Sequence, residues 1–286
     1  MTDNQPASRA VLITGCSSGI GLYCAQQLQR QGYLVIATAR KAEDVAQLKQ
    51  LGLQSLQLDL NNSVSIKNAM IRLQAITQGK LYALFNNGAY GLPGAVEDLS
   101  REALRAQFET NVFGTLELTN MVLPLMRAQG HGRIIQNSSI LGFAAMPYRG
   151  AYNCSKFALE GLTDTLRQEL TGSNIHVSLI EPGPILSDFR KNALNAFNQY
   201  IDKDNSAHKE NYESMLQRLN KDGAAVPFTL GPDAVYKKLL HALQSPRPRA
   251  RYYVTKPTYI MGYLKRLLST RAMDWVLMKA GGSGKR

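Results

Sequence analysis

A chain of 286 residues, 44% hydrophobic and 19% charged, is long enough to bury one large core, and a single domain is the default organisation at this length. The polar start "MTDNQPASRA" and the lack of ~18 consecutive apolar residues anywhere argue against a signal peptide and a spanning helix. Net charge is +12, but residues 247–286 carry ten Lys and Arg against one acid, Asp274, so this segment alone holds +9 and the body is close to that of an ordinary enzyme.

In chain order, short aliphatic runs alternate with segments of helical period. The pattern predicts a strand over 10–14 and a helix over 20–31, then 34–37 and 42–50, 53–58 and 64–77, 81–85 and one long helix over 101–126. It continues with strand 133–136, helix 152–170 and strand 176–180. Strand and helix in repeated alternation predict an α/β fold, a doubly wound, Rossmann-like parallel sheet with helices on both faces. After Pro182 the rhythm changes. Residues 184–229 mix Phe189, Leu194, Phe197, Tyr200, Tyr212 and Leu216 with many polar residues, as expected of one or two amphipathic helices inserted after the sixth strand to cover a ligand site. The expected division is a catalytic domain over 1–245 and a basic extension over 246–286, whose Gly-rich end "GGSGKR" is expected to lack order.

Cys16, Cys24 and Cys154 are an odd set without C-x-x-C spacing, which suits free thiols in a reducing compartment, and the cytoplasm is the expected address. Cys16 stands where a helix start would favour a thiolate, although a packing role is the plainer reading. The scattered His131, His176, His208 and His241 form no metal-ligand pattern, so no metal site is expected.

The segment "VLITGCSSGIG" runs from the first strand into the first helix through Gly15, Gly19 and Gly21, with Ser17, Ser18 and Ile20 between them. Glycine lets the backbone turn sharply and approach a pyrophosphate, whose charge the helix N-terminus stabilises. Gly15-Cys16-Ser17-Ser18-Gly19 also fits the G-x-S-x-G elbow of an α/β hydrolase, with Ser17 as nucleophile, but that reading leaves Gly21 unexplained and needs an acid and a histidine downstream. Arg40 and Lys41 follow the second strand, where a site selective for NAD offers a carboxylate; a cation there suits a 2′-phosphate and points to NADP(H).

Taken together these residues resemble the short-chain dehydrogenase/reductase family in its one-domain branch, over about 10–245. "TGCSSGIG" is similar to its glycine loop, Asp59 in "LDL" to the Asp beside the adenine, and "NNGA" at 86–89, with Asn87, to its Asn-Asn-Ala-Gly motif with the glycine moved one place. "NVFG" supplies Asn111, "NSSILG" the serine, "YNCSK" the Tyr152 and Lys156 pair, and "EPGPI" the Pro182-Gly183 turn near the nicotinamide. The family's serine-to-tyrosine interval selects Ser139 over Ser138. The resemblance implies alcohol–carbonyl interconversion with a nicotinamide cofactor, and its closer branches act on retinoids, steroids or other apolar carbonyls. A catalytically idle dinucleotide sensor of the same fold is the alternative, although such proteins commonly lack part of the Ser/Tyr/Lys set.

Tyr152 and Lys156 stand four apart, on one helical face. A cation about 4 Å from the phenolate, at an effective dielectric of about 20, is worth about 4 kcal/mol, enough to bring a tyrosine down by about 3 pKa units. Tyr152 is then expected to move the proton and Ser139 to hold the substrate oxygen. The resemblance gives Asn111 a place in a water-linked proton path to Lys156. Tyr90, Phe143 and Met146 are expected to join the aromatic and aliphatic residues of 189–228 in an apolar pocket.

Tyr259, Ile260, Tyr263, Leu264, Leu267 and Leu268 recur at helical spacing, with Lys265, Arg266 and Arg271 among them and Trp275 nearby. Two readings stay open: packing against the enzyme's own body or a second subunit of a homo-oligomer, or peripheral attachment to anionic lipid. Nucleic acid is not an expected partner, because the aromatics form a stripe.

Overall fold

The computed structural model describes residues 9–221, 223–224 and 226–281. Strands β1 (Ala10–Ile13), β2 (Leu34–Ala39), β3 (Gln54–Gln57), β4 (Ala83–Asn86), β5 (Gly132–Asn137), β6 (Ile175–Glu181) and β7 (Arg251–Tyr253) form one sheet of order 3-2-1-4-5-6-7 with every neighbouring pair parallel. The order reverses beside β1, which opens a crevice between β1 and β4 at the carboxyl ends of the strands.

Alternation along the strands feeds two cores. Val11, Ile13, Val35, Ala37, Phe85 and Ile135 face one layer, where α1 (Gly19–Arg30), α2 (Ala42–Gln50) and α9 (Asp233–Gln244) supply Cys24, Leu28, Leu48, Val235 and Leu239. Leu12, Ile36, Leu84, Ile134 and Val177 face the other, against Ile66 and Met70 of α3 (Ser63–Thr77) and Leu118, Val122 and Met126 of α5 (Thr115–Gln129). Strands buried on both faces read as continuous aliphatic runs, the signal that made the sheet visible in the sequence.

The long helix expected over 101–126 is interrupted: α4 (Arg101–Phe108) passes through a π-helical turn, Glu109–Gly114, before α5 begins. Such a turn holds an extra residue without ending the helix and redirects the side chains within it. The insertion after the sixth strand takes the form of α7 (Phe189–Tyr200) and α8 (Lys209–Leu219), which bury Phe197, Tyr212 and Met215 against Leu92, Ala95 and Ala151. The boundary expected at 246 does not fall between separate bodies. β7 lies within that extension yet pairs with β6, and Arg251 reaches Glu160, Asp164 and Glu181. After it come α10 (Lys256–Leu267) and α11 (Thr270–Gly281); from residue 282 the Gly-rich end lies outside the described residues.

Candidate active site

Thr14, immediately after β1, accepts hydrogen bonds at its hydroxyl from the backbone N–H groups of Asn87 (2.9 Å) and Gly88 (2.7 Å), drawing the ends of β1 and β4 together. Gly15 has a left-handed φ of +68°, and a Cβ there would lie 2.7 Å from the Gly88 Cα. The moved glycine of "NNGA" is therefore the residue that lets the loop approach β4. Asn87 clamps the two: its amide donates to the Thr14 and Gly15 carbonyls (3.0 and 3.1 Å) and accepts from Asn137 (2.9 Å). Gly21 lies beneath the loop, where a Cβ would come 2.1 Å from the Gly15 carbonyl oxygen.

Ser18 caps α1 without a side-chain hydrogen bond, and no acidic residue occupies the first turn, so the helix start keeps backbone donors for an anion. A pyrophosphate fits this glycine-lined turn. Ser17, Ser18, Gly19 and Ile20 line one cavity of about 580 Å³ together with Ser139, Tyr152, Lys156, Pro182 and Gly183. Arg40 and Asp59 do not line it. They follow β2 and β3, next to β1 in the sheet, with Arg40 exposed and Asp59 accepting from the Asn61 N–H.

The chemistry-bearing side chains stand on α6 (Gly150–Glu169) and on a 3-10 turn, Ile140–Gly142, that follows β5. Ser139 caps that turn, accepting from the Leu141 N–H, and the Ile140 N–H donates to the Pro182 carbonyl (2.8 Å), which ties the serine to the Pro-Gly turn after β6. Tyr152 and Ser139 face each other, and the serine favours the ionised phenol; burial is the larger effect and pushes the Tyr152 pKa upward. Ser138 lies instead beside the Glu160 carboxyl, whose ionised form it favours.

Lys156 corrects the electrostatic expectation. Its Nζ donates to the Asn137 carbonyl at 2.7 Å and lies 5.7 Å from the centre of the Tyr152 ring. Burial pushes its pKa down to about 8, while the Glu160 carboxyl acts in the opposite sense. The lysine's own charge is thus costly here, and for the phenol burial outweighs the hydrogen bond from Ser139.

Asn111 sits in the π-helical turn. Its amide donates to the Tyr90 carbonyl (2.9 Å) and Ser155 hydroxyl (3.1 Å) and accepts from the Tyr90 N–H (3.2 Å), so it pins the segment after β4 to α6 and touches neither Tyr152 nor Lys156. Cys16 is fully buried; burial raises its pKa to about 12, which removes the redox reading and leaves packing. No histidine is among the described residues that line the cavity, so the hydrolase reading of Ser17 has no histidine beside it there. No group of three or more potential ligands is placed to hold a metal among them either.

The covering wall comes from Pro184–Asn192, Arg218, 226–229 and the C-terminal helices, through Pro257, Met261 and Ala280. Phe189 stands over the Tyr152 ring, centroids 5.3 Å apart. Met146 lines the cavity, but Tyr90 and Phe143 do not: Tyr90 packs with the α7–α8 cluster and Phe143 against Tyr253. Sequence reasoning missed Arg149, Arg190 and Arg218. Arg149 is pushed down to about 9 by burial and by Arg218, whereas Arg190 donates to the carbonyls of Arg218 and Lys221 at the end of α8. Only the fold brings residues so far apart in sequence together.

Residues 9–197 match the short chain dehydrogenase family. The chain is 42% identical to the uncharacterized oxidoreductase YbbO of Escherichia coli strain K12 over 94% of each chain, and 33% identical to 17-beta-hydroxysteroid dehydrogenase type 1 of Homo sapiens over 87% of this chain and 78% of that one. Among solved structures it resembles serine dehydrogenase complexed with NADP+, with a TM-score of 0.71 and 25% identity over 87% of this chain and 95% of that one. The chain belongs to the short-chain dehydrogenase/reductase family, oxidoreductases that interconvert CH–OH and carbonyl groups with a nicotinamide dinucleotide.

Proposed function

We propose that this chain is an NADP(H)-dependent carbonyl reductase or alcohol dehydrogenase for a bulky, largely apolar substrate. The observation that carries the reading is the convergence of the glycine loop with Ser139, Tyr152 and Lys156 in one cavity. Bound there, the dinucleotide supplies or takes up hydride at the nicotinamide. Gly15, Ser17, Ser18, Gly19, Ile20 and Gly21 shape the turn that would hold the pyrophosphate, Asn87 braces it, and Pro182 and Gly183 of the same cavity would border the nicotinamide.

In the reducing direction the Tyr152 hydroxyl donates its proton to the substrate oxygen while Ser139 stabilises the charge developing there. Burial pushes the Tyr152 pKa upward, which keeps the hydroxyl protonated but makes it a weaker acid, so the charge of Lys156 has to ease the transfer. Lys156 supplies positive charge below about pH 8, favouring the phenolate left behind. Asn111 acts as a positioning residue, holding Tyr90 and Ser155 around the helix that carries the pair, and the water-linked path to Lys156 would pass beside it.

Arg40 supports NADP(H) over NAD(H), because an exposed guanidinium at the end of β2 pairs with a 2′-phosphate and repels nothing on a free ribose. Leu141, Met146, Phe189, Val226, Phe228 and Met261 support the apolar substrate, a steroid, retinoid or long-chain aldehyde in kind. The test is cofactor oxidation with a panel of aldehydes and ketones, using NADPH and NADH in parallel. Arg40→Asp is expected to weaken NADPH by about 10- to 100-fold, the value of a charge-assisted pair, and NADH far less. Equal weakening of both would remove the 2′-phosphate assignment, and no turnover of any carbonyl would remove the reading as a whole.

A further inference from the structure

The two C-terminal helices divide their apolar residues between two faces. Inward, Met261 of α10 and Met273 and Leu277 of α11 are buried with Ile140, Leu141 and Tyr152, so the helices brace the catalytic serine's turn. Outward, α10 exposes Ile260, Tyr263 and Leu267 at i, i+3 and i+7, and α11 exposes Trp275 and Met278; Leu267 is 79% and Trp275 60% exposed. The catalytic core does not need this outer stripe. Cations border it: Lys256, Lys265, Arg266, Arg271 and Lys279 stand against the one acid Asp274, and Lys279 lies 3.9 Å over the Trp275 ring. An ammonium above an indole at an apolar surface is the arrangement of an interfacial anchor, with charge at the headgroups and the ring below them.

Position adds a second argument. Pro257 and Met261 of α10 and Ala280 of α11 line the cavity, and so do Leu186, Phe189 and Phe228, exposed apolar residues of the same covering wall. Lys256 lies 5.8 Å from the Phe228 ring, joining those two parts of the wall at the start of α10. The basic, apolar helices therefore border the site itself. No described helix is long and apolar enough to cross a bilayer, so α10 and α11 could meet one only at its surface.

We propose that α10 and α11 seat this chain on the surface of a bilayer containing anionic phospholipid, with the cavity beside the lipid so that apolar substrate enters from the membrane. Charge complementarity selects the occupant: a neutral apolar partner would leave the five cations unused. The entry route rests on the apolar-substrate reading above, whereas the attachment does not.

Trp275 is the only tryptophan of the chain and reports directly on this face. The experiment uses the full chain without substrate, mixed with vesicles of phosphatidylcholine alone or with phosphatidylglycerol, and reads sedimentation together with Trp275 emission. At low salt the anionic vesicles are expected to carry the protein down and shift the emission to shorter wavelength, neutral vesicles to do neither, and added salt to reverse both. Leu267→Glu, and separately Lys265→Glu with Arg266→Glu, should each weaken attachment by roughly tenfold or more while leaving turnover of a short, water-soluble aldehyde unchanged. None of the three lines the cavity. Protein that stays in the supernatant at low salt, or a Leu267→Glu variant that binds like the parent, overturns the proposal. So does a lipid-free dimer that Leu267→Glu splits, since the stripe would then be a subunit interface. Lipid binding is read without any carbonyl, so failure of the substrate reading would leave this result intact.

Discussion

From Gly15 to Ile20 and from Asn87 to Ala89, one wall of the cavity is backbone drawn tight by Thr14 and Asn87, whereas the facing wall is made of side chains from the segments around α7, α8 and α10. The first tolerates almost no alternative residue, because atoms of neighbouring segments already occupy the space a Cβ would need at Gly15 and Gly21. The second asks only for apolar bulk, as Phe189, Val226, Phe228 and Met261 supply it. A surface shaped by the main chain demands particular residues at fixed spacing; one shaped by side chains demands a volume, which many sequences provide.

The contrast breaks most readily on the backbone wall. Gly21→Ala places a methyl group against the Gly15 carbonyl, and overpacking of this kind costs ~1–3 kcal/mol, so dinucleotide affinity measured by titration should fall by about 5- to 150-fold. Unchanged affinity would mean that the loop gives way and that its tightness is incidental. On the side-chain wall the response should be graded. Each methylene added to a straight-chain aldehyde buries apolar surface worth up to about 0.8 kcal/mol, so kcat/KM should climb several-fold per carbon until the cavity is filled. A flat or falling series would put the substrate elsewhere or make it polar.

A smaller effect tests the helix between the walls. Lys156, with its pKa near 8, loses its charge as pH rises, and reduction should decline through that range. Glu160 stabilises the cation, so Glu160→Gln should move the decline to lower pH by a fraction of a unit. A profile that stays in place would show that the lysine does not feel its neighbour one turn away.

What was legible follows the same division. The sheet announced itself because its strands are buried on both faces, and the glycine loop, "NNGA", Ser139 and the Tyr152–Lys156 pair stood out because chemistry and close backbone contact fix both residue type and interval. The π-helical turn around Asn111 was not legible, since helical period continues through it and only the geometry shows the amide turned toward Tyr90. Nor were Arg149, Arg190 and Arg218, which meet across the α7–α8 covering without any shared spacing. The spacing of Tyr152 and Lys156 reports how near the cation stands but not how deeply either group is buried, and burial acts on the phenol in the opposite sense.

Most direct is the pair of measurements on Tyr152→Phe: NADPH affinity by titration, and turnover of the best carbonyl found in the panel. The ring remains packed beside Phe189 and the glycine loop is untouched, so affinity should stay within a few-fold of the parent. Without the hydroxyl the proton has no donor beside Ser139, and kcat should fall by roughly 10²- to 10⁴-fold, the usual worth of a positioned acid. Near-parental turnover would contradict the assignment of Tyr152 as proton donor and with it the account of this site.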